Sequence, residues 1–146
     1  MKNKVSEIEI SYNPTVIDNT KISTSKDAER ILRGFYDDNK IEVREVFSAL
    51  YLNRANKVIG FSTISIGGVS ETIVDMKIIF SIALKSLASG IILCHNHPSG
   101  NLDISEPDKQ LTKKAMEIGR LMSVPVLDHI ILTKLNYVSL SDNGGI

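Results

Sequence analysis

The sequence predicts an α/β domain of three layers, with helices on both faces of a largely antiparallel or mixed sheet. Short runs of β-branched and aromatic residues alternate along the chain with amphipathic helical patterns. One pair of such runs is joined by an asparagine-bounded turn signal, which makes those two strands an antiparallel hairpin. The length of 146 residues, 42% hydrophobic and 23% charged, suits one compact core.

The elements follow in order. In "SEIEISY" (6–12), Ile8 and Ile10 alternate with polar neighbours, which reads as an edge strand. A polar stretch with Pro14 and "DNTKISTS" follows, and residues 1–22 are read as an N-terminal strand and polar segment ahead of the main domain, 23–146. Ala28, Ile31, Leu32 and Phe35 share one helical face and predict a helix near 25–37, with Thr24 or Ser25 as its cap. "VREVFSALYLNR" (43–54) and "NKVIGFSTISI" (56–66) have strand composition, and Asn53–Asn56 is the turn between them. Gly67-Gly68 marks a bend. "DMKIIFSIALKSLASG" (75–90) predicts a helix capped by Asp75 and stopped before Gly90. "IILCHNH" (91–97) is a short apolar strand that must be buried. Residues 105–122 form a helix with Leu111, Ala115, Ile118 and Met122 on one side and lysines on the other. "VPVLDHIILT" (124–133) and "YVSLS" (137–141) close the chain as strands.

Composition narrows the function classes. Lysine plus arginine equals aspartate plus glutamate, 17 each, so no overall field attracts nucleic acid or an anionic membrane. Lys113, Lys114 and Arg120 read as an ordinary wet helix face. One cysteine cannot form an internal disulfide, which fits a reducing, cytoplasmic setting. "MKNKVSEIEI" has no apolar run after its lysines, so a signal peptide is not expected. The most apolar stretch, 78–94, is interrupted by Lys85 and Gly90 and reads as a helix followed by a strand rather than a membrane span.

The chemistry concentrates in "CHNHPSGNLDISEPDKQ" (94–110). Residues i and i+2 of a strand face the same side, so His95 and His97 project together while Cys94 and Asn96 point away. Paired imidazoles make a claw for zinc. Pro98-Ser99-Gly100 ends the strand and turns the chain. Ser105 is the cap of the next helix, and Asp108, at its third position, points back toward the strand end. Asp108 is the candidate third ligand, with Asp103 in reserve; it also has the simpler role of a first-turn carboxylate that favours the helix dipole. Two histidines and one carboxylate leave a fourth tetrahedral position open, the pattern of catalytic zinc, which brings the pKa of bound water to ~7. A base must then come from elsewhere in the chain.

His95, His97, Pro98, Ser105 and Asp108, in the pattern H-x-H-P-x6-S-x-x-D, resemble the signature of the JAB/MPN+ (JAMM) metallopeptidase domain. "HNHPSG" with S-x-x-D behind it is similar to the RadC branch of that superfamily. "REVFSALYLNRANKV" resembles the family's upstream glutamate segment, and Glu45 matches the glutamate. The resemblance covers roughly residues 23 to 142. It implies a JAB/MPN-type fold with cytidine-deaminase-like architecture. It further implies Zn2+ held by His95, His97 and Asp108, Glu45 as general base, and Ser105 positioning water or steadying an oxyanion. The implied activity is zinc-dependent hydrolysis of an amide, in a peptide or isopeptide of a protein substrate. The chain departs from the family in two respects: it has no room for the N-terminal helix-hairpin-helix-like region of full-length RadC proteins, and Ile104 stands where proline often precedes the motif serine.

Alternatives remain at the level of residues. Glu42 competes with Glu45 for the role of base, although Glu45 shares strand parity with Phe47, Ala49 and Tyr51. Cys94 lies on the wrong face for a nucleophile and reads as a buried inert thiol. His129, in the apolar run "VLDHIIL", reads as a hydrogen-bonded core residue outside the site. Alternative functions are a RadC-like DNA repair or recombination accessory protein and a metal-binding scaffold without turnover. A zinc deaminase needs a P-C-x-x-C segment, which a single cysteine excludes. Oligomeric state is not legible.

Overall fold

The structure is a computed structural model that describes residues 4–13, 20–68 and 73–146. Its elements are α1 (Ser25–Arg33), β1 (Val46–Leu52), β2 (Val58–Ile66), α2 (Met76–Lys85), β3 (Gly90–Asn96), α3 (Glu106–Leu121), β4 (Val126–Leu132) and β5 (Tyr137–Ser139). The strands form a mixed sheet in the order β2-β1-β3-β4-β5. β1 is antiparallel to both β2 and β3, β3 is parallel to β4, and β5 returns antiparallel to β4. The parallel pair is adjacent because α3 carries the chain from the end of one strand back to the start of the other.

Strand alternation sorts the core into two halves. Leu50, Leu52, Ile92, Cys94, Ile130 and Leu132 face α1, where they pack with Ala28 and Leu32. Phe47, Ala49, Tyr51, Ile91 and Leu93 face the other way, against Ile79, Phe80 and Ala83 of α2 and Ala115 of α3. The result is the predicted three layers. Every residue of β3 is buried, because strands flank it on both sides and helices cover both faces.

The boundaries differ from the sequence reading in instructive places. Residues 6–12 form no strand; Ile8 and Ile10 are 91% and 65% exposed, and the Tyr12 hydroxyl donates to the Ile59 carbonyl. Alternation alone makes no strand where no neighbour supplies a ladder. Pro14 and the start of the polar stretch lie outside the described residues. The first helix ends at Arg33, short of 37, because Gly34 closes the last turn on the Ile31 and Leu32 carbonyls and Phe35 swings out to stack on Phe61. The second ends at Lys85. Ala88 N–H bonds back to the Ala83 carbonyl with Leu87 in the left-handed region, a Schellman closure. Gly90 is therefore not a helix stop but the first residue of β3. Gly67 and Gly68 continue the pairing beyond β2 rather than bending away, since their N–H and C=O both bond to Glu45. On α3 the buried stripe is Thr112, Ala115 and Gly119, while Leu111 and Ile118 flank it and Met122 is 42% exposed. Gly119 stays bare because the chain folds back on it after α3: Val124 N–H bonds to the Gly119 carbonyl, and a methyl group on Gly119 would stand 2.5 Å from the Val124 carbonyl oxygen.

Candidate metal centre

The antiparallel register of β1 on β3 places Phe47 opposite His95, so the start of one strand lies level with the end of the other. Glu45 immediately precedes β1, and its side chain reaches the cluster. One carboxylate oxygen is 3.7 Å from His95 Nε2, and the residue is 7% exposed. Two devices fix its backbone. The Glu45 N–H donates to Gly68 and its carbonyl accepts from Gly67, each at 2.8 Å. Asn96, fully buried on the opposite face of β3, accepts from Val46 N–H at 2.8 Å and donates to the carbonyls of Arg44 (2.9 Å) and Ile41 (2.7 Å). Glu42 is elsewhere, in an exposed ion pair with Lys134 at 3.5 Å. Asp103 is exposed.

His97 follows β3, held by a hydrogen bond from its N–H to the Leu132 carbonyl. Its Nδ1 lies 2.7 Å from the Asn101 carbonyl oxygen, which can only accept, so Nδ1 carries the proton and Nε2 turns to the cluster as a bare donor. The turn that brings Asn101 round is closed by Gly100 N–H on the His97 carbonyl, with Gly100 at φ 81°, a conformation glycine adopts without strain.

Ser105 caps α3 and completes a capping box with Asp108. Ser105 Oγ accepts from the Asp108 N–H at 3.1 Å, and the Asp108 carboxylate accepts from the Ser105 N–H at 3.4 Å. The same carboxylate faces both imidazoles, with one oxygen 3.4 Å from His95 Nε2 and the other 3.3 Å from His97 Nε2. Burial pushes the Asp108 carboxyl upward, but the two imidazoles beside it outweigh burial and hold the group well below the usual carboxylate range. The Asp108 carboxylate beside it raises His97, whereas burial lowers His95.

Glu45, His95, His97 and Asp108 thus present one donor atom each within 4.8 Å of one another. The two Nε2 atoms are 3.0 Å apart. Ligand atoms ~2.0–2.2 Å from one tetrahedral ion stand about 3.3–3.6 Å apart. The histidine–aspartate spacings match that range, and the nitrogen pair is slightly tighter. Two neutral imidazoles with carboxylate oxygens form a borderline donor set that suits a divalent first-row ion.

His129 also belongs to this neighbourhood, which the sequence reading did not anticipate. It is fully buried and hydrogen-bonded, as expected of a core histidine, but its partner is His95: His129 Nε2 lies 2.8 Å from His95 Nδ1. Burial, followed by the proximity of His95, lowers its pKa well below the ordinary imidazole value. An odd-numbered position in a strand parallel to β3 was the available signal, since Leu93 pairs with His129 and shares the face of His95. Cys94 points to the other face, fully buried, and burial pushes its thiol up to about 12.

A family model described as "RadC-like JAB domain" matches residues 22–145. The chain belongs to the RadC-like JAB domain family. Among its relatives, a UPF0758 protein of Flavobacterium johnsoniae is 44% identical over 124 residues, 85% of this chain and 53% of that protein. One from Syntrophomonas wolfei is 42% identical over 101 residues, 69% of this chain and 43% of the relative. One from Methanosarcina mazei is 36% identical over 124 residues, again 85% and 53%. The chain spans about half the length of the curated relatives it matches. The RadC-like JAB domain thus accounts for the mixed sheet, the histidine pair at the end of β3 and the capped helix behind it as one unit. Among the described residues, no helix is long and apolar enough to cross a membrane.

Proposed function

We propose that this chain is a zinc-dependent hydrolase that cleaves an amide bond, in a peptide or an isopeptide of a protein substrate. The observation that carries the reading is the convergence of Glu45, His95, His97 and Asp108, drawn from three separate segments, within 4.8 Å. His95, His97 and Asp108 would hold the ion, which when bound would polarise a carbonyl oxygen and lower the pKa of water to ~7. Glu45 is the general base. It takes a proton from the attacking water as the new C–O bond forms, then delivers it to the nitrogen as the C–N bond breaks. Its backbone is pinned on both sides, so the carboxylate meets the proton without searching. The Ser105 hydroxyl accepts from Asp108 and retains its own hydrogen for an oxygen of the substrate. The bond class rests on the likeness to the metallopeptidase branch of this superfamily. A cytoplasmic setting is supported by the lone buried Cys94.

The test is metal analysis of protein purified without chelator, with thermal melts before and after added zinc, followed by the Glu45→Gln and His97→Ala variants on a panel of amide substrates. Stoichiometric zinc in wild type and in Glu45→Gln, its loss in His97→Ala, and turnover in wild type alone are expected. Absence of zinc together with absence of a thermal shift refutes the reading. Zinc in wild type and its loss in His97→Ala, but no turnover in wild type, replaces it with the metal-binding scaffold.

A further inference from the structure

His95 has two ring nitrogens, and only one tautomer leaves Nε2 bare to act as a donor toward the cluster. His95 Nδ1 faces His129 Nε2 at 2.8 Å, an imidazole-to-imidazole contact in which each ring could be donor or acceptor. The degeneracy is broken two steps away. His129 Nδ1 faces Thr112 Oγ1 at 2.6 Å, and Thr112 Oγ1 is also 2.7 Å from the backbone carbonyl oxygen of Asp108. A carbonyl oxygen cannot donate, so the Thr112 hydrogen is committed to Asp108. Thr112 Oγ1 must then accept from His129 Nδ1–H. His129 is fully buried beside Phe47, with Thr112 and the His95 ring as its side-chain hydrogen-bond partners, and the ring stays neutral. A neutral ring protonated at Nδ1 has a bare Nε2, which accepts from His95 Nδ1–H. His95 is left with a bare Nε2, and that atom is 3.4 Å from the Asp108 carboxylate. The circuit begins at the Asp108 main chain and ends at the Asp108 side chain.

We infer that His129 and Thr112 are positioning residues of the proposed metal centre: through this one-way chain of hydrogen bonds they lock His95 in the Nδ1–H tautomer and hold its Nε2 against Asp108. The inference rests on the metal reading above for its purpose, but the direction of the hydrogen bonds does not. Neither residue touches substrate or ion. In metal sites generally, the second ring nitrogen of a ligating histidine donates to a carboxylate, carbonyl or water. Here a second histidine takes that place, and the donor chain runs on into the first turns of α3. The arrangement couples β3, β4 and α3 through side chains of no other evident use in the core.

The experiment has two arms. In chelated wild-type protein carrying ring-15N histidine, long-range proton–nitrogen NMR reads each tautomer directly. His95 and His129 are both expected as Nδ1–H with bare Nε2; a protonated Nε2 on His95 overturns the inference. In the second arm, zinc affinity is measured by competition with a chromophoric chelator for wild type, Thr112→Val and Thr112→Ser. Thr112→Val is expected to bind zinc ~10–100-fold more weakly. Thr112→Ser, which keeps the hydroxyl, is expected to stay near wild type. If Thr112→Val melts lower yet binds zinc within about twofold of wild type, Thr112 is merely structural and the inference fails. If wild type binds no zinc, the proposed function falls, and the NMR arm alone decides whether the tautomer lock exists.

Discussion

Replacing Asn96 by alanine removes a side chain whose amide is fully used. Its oxygen accepts from Val46 N–H, and its nitrogen donates to the Ile41 and Arg44 carbonyls, all within 2.7–2.9 Å and with no exposure to solvent. Alanine leaves three main-chain groups without their partner at a site closed by β1, β3 and the segment before β1. A buried group left unsatisfied costs ~1–3 kcal/mol, and partial entry of water brings the total to about 3–5 kcal/mol. For a chain of this size each kcal/mol moves the melting temperature by ~2–4 °C, so a fall of about 10 °C is expected. Urea and thermal melts followed by circular dichroism measure it. Asn96→Asp is the discriminating companion. It matches asparagine in shape and keeps the acceptor for Val46, but it loses both donors and aims a carboxylate at two carbonyl oxygens. It is expected to be at least as destabilised as the alanine variant. A loss below 1 kcal/mol for Asn96→Ala, or a near-neutral Asn96→Asp, refutes the clamp. Since the clamp grips the residues on either side of Glu45, folded Asn96→Ala protein is also expected to keep zinc and lose turnover.

Two further outcomes are expected from the core. Burial holds the Cys94 thiol at about 12, so its thiolate fraction at pH 8 is ~10⁻⁴; a thiol reagent should label nothing in the folded chain and one group after denaturation, and rapid labelling of the native state contradicts the burial. Gly119→Ala gains about 1 kcal/mol of helix propensity, but its methyl meets the Val124 carbonyl oxygen at 2.5 Å; the backbone must shift, giving a net loss of ~1–3 kcal/mol in a urea melt, and a stabilised variant refutes the close approach of the turn after α3 to Gly119.

What the sequence revealed follows from local rules. Period-two alternation was enough to put His95 and His97 on one face and Cys94 and Asn96 on the other. The S-x-x-D spacing was enough to fold Asp108 back on Ser105 as a capping box. Where the outcome depended on distant partners, local rules failed. Ile8 and Ile10 alternate like a strand, but among the described residues no ladder receives them. Gly90 resembles a helix stop; Leu87 takes the left-handed position instead, and the glycine opens β3. Glu42 and Glu45 are indistinguishable by type, and what separates them is the pairing of Glu45 with Gly67 and Gly68 and the grip of Asn96, both set by the sheet. His129 is buried, as its apolar run implies, yet its partner follows only from the parallel register of β3 and β4.

The charge of the cluster supplies the last argument. Glu45 and Asp108 bring two carboxylates against two imidazoles in a region where Glu45 is 7% and His95 1% exposed. Without an ion, the Asp108 carboxylate favours a proton on His97 and raises its pKa. A divalent ion reverses this arrangement: it needs both Nε2 atoms bare, and its two charges equal those of the carboxylates. A site of this composition is therefore neutral when it holds one divalent ion and two neutral imidazoles. Zinc at ~100 times its Kd should stabilise the fold by about 2.7 kcal/mol, read as a rise of several degrees in the melt. Asp108→Asn should abolish that rise, because it removes a charge and a donor together. Glu45→Gln should leave most of it, because the three ligands are intact. Magnesium should give little, since it prefers an octahedral oxygen shell that this nitrogen-rich set does not supply. Equal shifts with zinc and magnesium, or an undiminished zinc shift in Asp108→Asn, would mean the ion is bound elsewhere on the chain.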